Sequence, residues 1–436
     1  MDYEDRYLKD KDKYLKYKKN IMIGGTKSET YNNETKINEI TDFIKNSSKK
    51  KIVKKLIDTL QYDKYCSNVL GEGFSGKVYI PVLDKTFPYK IKNKTLNLPI
   101  VVKVENELNN NEKPYFNTDI LDNKLYISGY GGVTTEALIL MLIRDLRKKT
   151  IHLPLLLTYA TCNKTKLIST IVTMRYGLEK PIEIDLTGKI YDENTLWHKQ
   201  ETTNKFKNTI ATLADLFTFI HYSKKDDDTV VLPNNIRCNV IELYDYLCIS
   251  FLATHYLLTE NDIYQSDMHV NNIFIHWFDD NSYYNDKNMK NIKEIIYKIK
   301  NKYYKIKTFG FALIFGDTGT FIIKIKKDVI LIGQAPDIKN DYAKYDRRMN
   351  PNHNNMDFIY GVVGFLTPQQ LNKCVANNIL NVKPYNNYPI HNYKLLGTDI
   401  SYLDALKSTP ELLSFFDEKY GVDKYQRNED NILIEI

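Results

Sequence analysis

Residues 70–79 read LGEGFSGKVY. Gly71, Gly73 and Gly76 make a G-x-G-x-x-G pattern, with Val78 two positions further on. Glycines let a backbone turn tightly and bring its N–H groups close to phosphate oxygens. The residues that follow decide which phosphate loop this is. A dinucleotide-binding fold needs a helix directly after the third glycine and an acidic residue roughly 20 positions on. Here KVYIPVL follows, and it reads as a strand. The same residues also fit G-x-x-x-x-G-K from Gly71 to Lys77, but a Walker loop then requires a Ser or Thr hydroxyl for magnesium, which Val78 lacks. A strand, a glycine loop and a second strand remain.

Downstream, VVKVE (101–105) is an apolar strand interrupted by Lys103. A charge in a buried strand needs a partner. TTEALILMLIRDL (134–146) reads as a helix with Glu136 near its start, and LISTIVTMRY (167–176) as another strand. YQSDMHVNNIFIHWF (264–278) follows a long helical stretch, with Asp267 and Asn272 five positions apart ahead of an apolar strand. Further on come Thr308-Phe309-Gly310 and, after the apolar FALIFG, Asp317-Thr318-Gly319.

In this order the segments resemble the protein kinase family over roughly residues 65–365. The resemblance implies an α+β, bilobal, protein-kinase-like fold: a sheet-rich N-lobe with one key helix (61–180), a mainly helical C-lobe (181–436) with a surface insertion at 278–305, and an N-terminal basic helical extension with a linker (1–60). It implies an ATP- and magnesium-dependent phosphotransferase, a Ser/Thr protein kinase with an unidentified protein substrate. Gly71, Gly73, Gly76 and Val78 would cover the nucleotide. Lys103, paired with Glu136, would hold its α/β-phosphates. Met174 would guard the back of the adenine pocket, and the backbone from Arg175 through Tyr176 to Gly177 would bond the adenine edge. Asp267 would accept the proton of the attacking hydroxyl, and Asn272 would help bind Mg2+. QAPD (334–337) resembles a variant of the family's A-P-E, and Asp357 the aspartate that props the catalytic loop.

Two segments are similar to the family's metal-binding D-F-G. Thr308-Phe309-Gly310 has lost the acid and would make a pseudokinase. Asp317-Thr318-Gly319 keeps it and is preferred, because magnesium takes hard oxygen ligands. Gln265 and Ser266 stand where the family has His and Arg. His269 stands where small-molecule kinases on the same fold carry histidine, which keeps that alternative open alongside a structural imidazole.

The bulk properties fit a two-lobed globular chain of 436 residues, with 43% hydrophobic and 26% charged residues. No apolar run reaches the roughly 18 residues of a membrane span. The net charge of +7 is spread along the chain and reads as solvated surface rather than a nucleic-acid footprint. Five scattered cysteines without a C-x-x-C pair fit a reduced, intracellular protein without structural zinc. Tyr3, Tyr7, Tyr14, Tyr17 and Ile21 share one face of an expected short N-terminal helix, read as an appendage packed on its own domain, with a docking or membrane-surface helix as the alternative. KYLKYK within it is similar to a leader on many giant-virus proteins, which would put the chain in the host cytoplasm or the virion. Residues 106–130 and 278–305 are polar, and both are expected on the surface without a core of their own.

Overall fold

The computed structural model describes most of residues 69–333 and 408–436, with gaps at 74–75, 81–85, 92, 105–115, 130–131, 162–168, 186–204, 224–227, 266–268 and 427, and isolated positions between 349 and 375. The expected helices of residues 1–60, QAPD and Asp357 lie outside the described residues. The chain is mixed α+β, rich in sheet and with few helices.

Strands β1 (Val69–Gly73), β2 (Gly76–Tyr79), β3 (Thr86–Ile91), β4 (Lys94–Val104), β7 (Leu156–Thr161) and β8 (Ser169–Met174) form one sheet in the order β1-β2-β4-β8-β7, with β3 also on β4. The alternation in LNLPIVVKV drives it. Leu96, Leu98, Ile100, Val102 and Val104 are all buried on one face. Directly opposed residues of antiparallel strands share a face. Val78 and Ile171 oppose Lys103, and Thr173 opposes Val101, so these five side chains lie on the other face.

Between these strands, β5 (Phe116–Leu121) and β6 (Lys124–Gly129) make a hairpin followed by helix α1 (Gly132–Ile143). The expectation of a coreless surface insertion at 106–130 is therefore wrong for its second half. Leu125, Tyr126, Ile127 and Ser128 are buried. Polar composition hid a strand buried on both faces, whose partner is remote in sequence. β6 runs parallel to β15 (Val329–Ile332), within a five-stranded sheet ordered β9 (Ile263–Tyr264), β14 (Ile322–Lys326), β15, β6, β5. α1 is apolar around its circumference, as befits a helix covered on several sides. Its Ala137, Leu138, Ile139 and Leu140 join Ile127, Ile171, Phe321 and Leu331 in one apolar cluster.

Helix α2 (Leu213–Ser223) precedes α3 (Val240–Thr259), which is buried along nearly its whole length. Asn239 caps α3 by accepting the Ile241 and Glu242 N–H groups. β10 (Ile273–Trp277) then pairs with β13 (Phe311–Phe315). The second expected surface insertion, 278–305, also builds core. β11 (Glu294–Ile299) buries Ile295, Ile296 and Tyr297 in a row, and β12 (Lys302–Lys307) buries Tyr304 and Ile306 between exposed lysines. Their sheet is completed by β16 (Gly421–Val422) and by β17 (Asn431–Glu435), which pairs in parallel with β11. The described part of 181–436 is thus less helical than expected. Past α3 it is mostly strand, with short helices α4 (Thr409–Ser414) and α5 (Asp417–Tyr420) near the end.

His152 fastens the segment between α1 and β7 onto β13. Its ring Nδ1 donates to the Leu313 carbonyl at 2.8 Å, its Nε2 lies 2.7 Å from the Tyr297 hydroxyl, and its own carbonyl accepts the Phe315 N–H at 2.9 Å. Burial holds this imidazole down at about 4, partly offset by the Leu313 bond. An unfolded histidine titrates near 6.5, so the unfolded chain binds the proton first as pH falls. Stability present above pH 6.5 should be lost progressively down to about pH 4, by about 3 kcal/mol for this group. His276, held at about 3 by burial, acts in the same direction. Denaturant titrations at successive pH values should show His152→Gln with a shallower acid slope by about one proton.

Candidate active site

Lys103 stands on β4 with its ammonium between two carboxylates. Its Nζ is 2.5 Å from Glu136 Oε2 and 3.8 Å from Asp317 Oδ1. Three distant parts of the chain meet here: β4, the start of α1 and the turn after β13. Glu136 is buried, and burial pushes its carboxyl up, opposed by Lys103 and reinforced by Asp317. Asp317 is the most open of the three, with its side chain 29% exposed, so its carboxylate remains reachable from solvent.

The β10–β13 ladder brings Gly316, the residue before Asp317, against Asn272. Ile273 opposes Phe315, and one step further the Gly316 N–H donates to the Asn272 carbonyl at 2.8 Å. Asp317 itself has φ 47° and ψ 48°, left-handed and strained for a residue with a Cβ. Such strain persists where the surroundings over-determine it, and it concentrates at functional sites. Here the following 3₁₀ turn, Thr318–Thr320, packs against α1, and both the N–H and the hydroxyl of Thr320 donate to the Asp317 carbonyl. Gly316 is required because a Cβ there would collide with the Phe274 ring, which stacks on Tyr176 at 5.9 Å. Sequence reasoning missed Gly316; glycine immediately before the candidate metal carboxylate was the available signal.

The glycine motif forms the β1–β2 hairpin, with Gly73 opposing Gly76 and two residues between them. Gly76 has φ 153°. The register carries Val78 onto the Lys103 face of the sheet. Gly71, Gly73, Gly76, Val78 and Lys103 thus belong to adjacent strands of one sheet.

Met174 is a correction. It opposes Ile100 and packs with Leu96 and Leu98, on the face away from Lys103. Thr173 is the residue on the Lys103 face, a slip of one position that an alternating strand turns into the opposite side. The adenine-edge expectation needs revision too. The Arg175 N–H is taken by the Pro99 carbonyl at 2.8 Å and the Gly177 N–H by the Ile275 carbonyl at 2.9 Å. Tyr176 packs inward, its hydroxyl accepting the Leu155 N–H at 3.1 Å. Asp267 lies outside the described residues. His269 is half-buried, and its carbonyl accepts the Asn272 N–H at 2.8 Å.

Thr308, the rival to Asp317, is elsewhere. It is buried, donates its hydroxyl to the Ile292 carbonyl at 2.7 Å and its N–H to the Lys293 carbonyl, and sits before β13 whereas Asp317 sits after it. A five-residue strand alone spans roughly 17 Å.

Among the described residues no group of three or more His, Cys, Asp or Glu is arranged to hold a metal. Asp317 and Asn272 both carry hard side-chain oxygens, and the backbone of Asn272 meets that of Gly316, the residue before Asp317. That fits magnesium, which is typically held by one or two protein groups, phosphate oxygens and water. No helix of the described residues is long and apolar enough to cross a membrane. No family model matches the chain, and no curated protein matches it.

Proposed function

We propose that this chain is an ATP- and magnesium-dependent phosphotransferase of bilobal, protein-kinase-like architecture, acting on Ser/Thr hydroxyls of a protein. The observation that carries the reading is the position of Lys103, 2.5 Å from Glu136 and 3.8 Å from Asp317, on the same sheet as the glycine hairpin. An ammonium held by a buried carboxylate is a fixed cation, aimed where phosphate oxygens would lie. The same geometry favours an enzyme over a pseudokinase, because the carboxylate beside Lys103 is Asp317.

In this reading Lys103 neutralises charge on the α/β-phosphates while Glu136 keeps it from swinging away. Asn272 and Asp317 would hold magnesium, which supplies charge neutralisation across the β/γ-phosphates. Asp267 takes the proton from the acceptor hydroxyl as the new O–P bond forms and the bond from the γ-phosphorus to the β/γ-bridging oxygen breaks, releasing ADP. Thr173, not Met174, faces the nucleotide base from β8. Thermal unfolding tests the binding half of the proposal. Mg–ATP at about 100 times its dissociation constant should stabilise the chain by about 2.7 kcal/mol. A midpoint unmoved by millimolar ATP, ADP or GTP with magnesium would sink it.

A further inference from the structure

Arg147 is a half-buried cation with no carboxylate to meet it. It stands in the short 3₁₀ turn Leu146–Lys148, just after α1. Its Nη1 donates to the Thr150 carbonyl at 3.2 Å. Its Nε is shut off from solvent and has no hydrogen-bond partner. Among the described residues no Asp or Glu pairs with it. The more open lysines behave differently. Lys148, next in the chain, pairs with Asp145 at 2.7 Å, and Lys293, Lys298 and Lys305 each meet a carboxylate at 2.9 Å. Charged side chains are rarely withdrawn from water unless paired, so a guanidinium that is withdrawn and unpaired points to a ligand.

The surroundings are phenols. The titratable groups close enough to act on the charge of Arg147 are Tyr176, Tyr284 and Tyr89. The Tyr284 hydroxyl is tied to the same turn, donating to the Lys148 carbonyl at 3.2 Å. The Tyr176 hydroxyl accepts the Leu155 N–H at 3.1 Å. The His276 ring lies edge-on to Tyr176 at 5.8 Å, and burial holds this imidazole down at about 3. Phenols and an imidazole of this kind are uncharged near neutral pH, so none of them offsets the guanidinium.

The free edge of Arg147 defines what fits. With Nη1 committed to Thr150, Nε and Nη2 remain, side by side in the planar fork. Nη2 makes no hydrogen bond. Two parallel N–H groups match two oxygens of a carboxylate or a phosphate. The phenols decide between them. The Tyr89 hydroxyl and the hydroxyl proton of Tyr176 are uncommitted. A carboxylate has only the two oxygens that face the arginine, whereas a phosphate has further oxygens to accept from these donors.

We infer that Arg147, with Tyr176 and Tyr89, forms an anion site that binds a phosphate group, as inorganic phosphate or on a small phosphorylated metabolite. Tyr89 and Tyr176 pack with Leu96, Leu98 and Met174, on the sheet face away from Lys103. The site is therefore separate from the candidate active site and does not rest on the phosphotransferase reading.

The test is isothermal titration of sodium phosphate into the full-length chain at fixed ionic strength, repeated with glycerol phosphate and with sodium acetate. Wild type should bind phosphate, and acetate about tenfold more weakly. The tighter of the two phosphate compounds tells free phosphate from a metabolite. Arg147→Gln should weaken phosphate about thirtyfold, and Arg147→Lys about tenfold, because lysine keeps the charge without the paired N–H edge. Tyr89→Phe removes one half-exposed hydroxyl, so it should melt with wild type and bind phosphate about threefold more weakly. Lys103→Met controls for phosphate in the candidate active site and should stay within about twofold of wild type. A purely structural arginine would lower the unfolding midpoint of the Arg147 variants and leave phosphate affinity alone. Wild type that binds no phosphate, affinity within about twofold of wild type in both Arg147→Gln and Tyr89→Phe, or acetate bound as tightly as phosphate would overturn the inference. A loss confined to Lys103→Met would overturn it as well, and would put the phosphate beside Lys103.

Discussion

Asp317→Asn should nearly abolish magnesium-dependent phosphotransfer, a drop of about a hundredfold to a thousandfold, while Thr308→Ala leaves the rate within about twofold. Removing one preorganised electrostatic group that faces developing charge costs about 10²–10³ in rate. Asp317 is the anion of the proposed metal pair, and the neutral oxygen of asparagine does not replace its charge. Fold damage should be small, because the Asp317 side chain is partly open and its ion pair with Lys103 is long at 3.8 Å. Thr308→Ala works the other way round. It removes a buried hydrogen bond to the Ile292 carbonyl, for about 1 kcal/mol of stability, far from Lys103. Initial rates of γ-phosphate transfer for both variants, with unfolding midpoints alongside, separate the two. Equal activity in Asp317→Asn and wild type would remove Asp317 from the metal site.

Lys103→Met should weaken Mg–ATP binding about thirtyfold, equivalent to about 2 kcal/mol for a charge-assisted bond to phosphate. Its effect on folding should depend on pH. Without the ammonium, Glu136 is buried beside Asp317 with neither charge neutralised, and burial already pushes its carboxyl up. Glu136 then escapes the penalty by taking a proton. A folded-state value raised above that of the unfolded chain means that the folded chain binds the extra proton. The variant should therefore come closest to wild-type stability below about pH 4.5, and fall behind as pH rises through the folded value. Urea titrations at pH 5 and pH 8 check this. A deficit that shrinks on going to pH 8 would mean that Glu136 is not the partner Lys103 neutralises.

That Lys103 would need a partner was legible in the sequence, because a charge in an apolar strand demands one. Glu136 and Asp317 were singled out by the resemblance of their segments to family motifs, and the structure places them 2.5 Å and 3.8 Å from Lys103. The glycine hairpin was legible because KVYIPVL could not be a helix opening. What the sequence concealed is mostly non-local. The hairpin Phe116–Gly129 looked like a polar insertion, since its parallel partner Val329–Ile332 lies some 200 residues on. The strand pair within 294–307 was masked by its charged residues, and a strand that completes its sheet comes from residues 431–435. Met174 failed for a different reason. A one-residue error in register inverts a strand's faces, and only the pairing of Ile100 with Met174 fixes which face that is. Arg147 drew no notice in the sequence, because its unpartnered Nε and its phenol neighbours belong to the tertiary structure alone.

The most direct measurement of the central claim is γ-phosphate transfer from ATP to a mixed panel of protein and small-alcohol acceptors, with magnesium and with chelator. Asp267→Asn serves as the paired control, because its proposed role is to take the acceptor's proton and not to hold ATP. Wild type should phosphorylate protein hydroxyls only with magnesium, and Asp267→Asn should keep the Mg–ATP thermal shift while losing most of the transfer. Wild type that binds Mg–ATP and transfers phosphate to no acceptor, or Asp267→Asn that transfers as fast as wild type, would contradict the account.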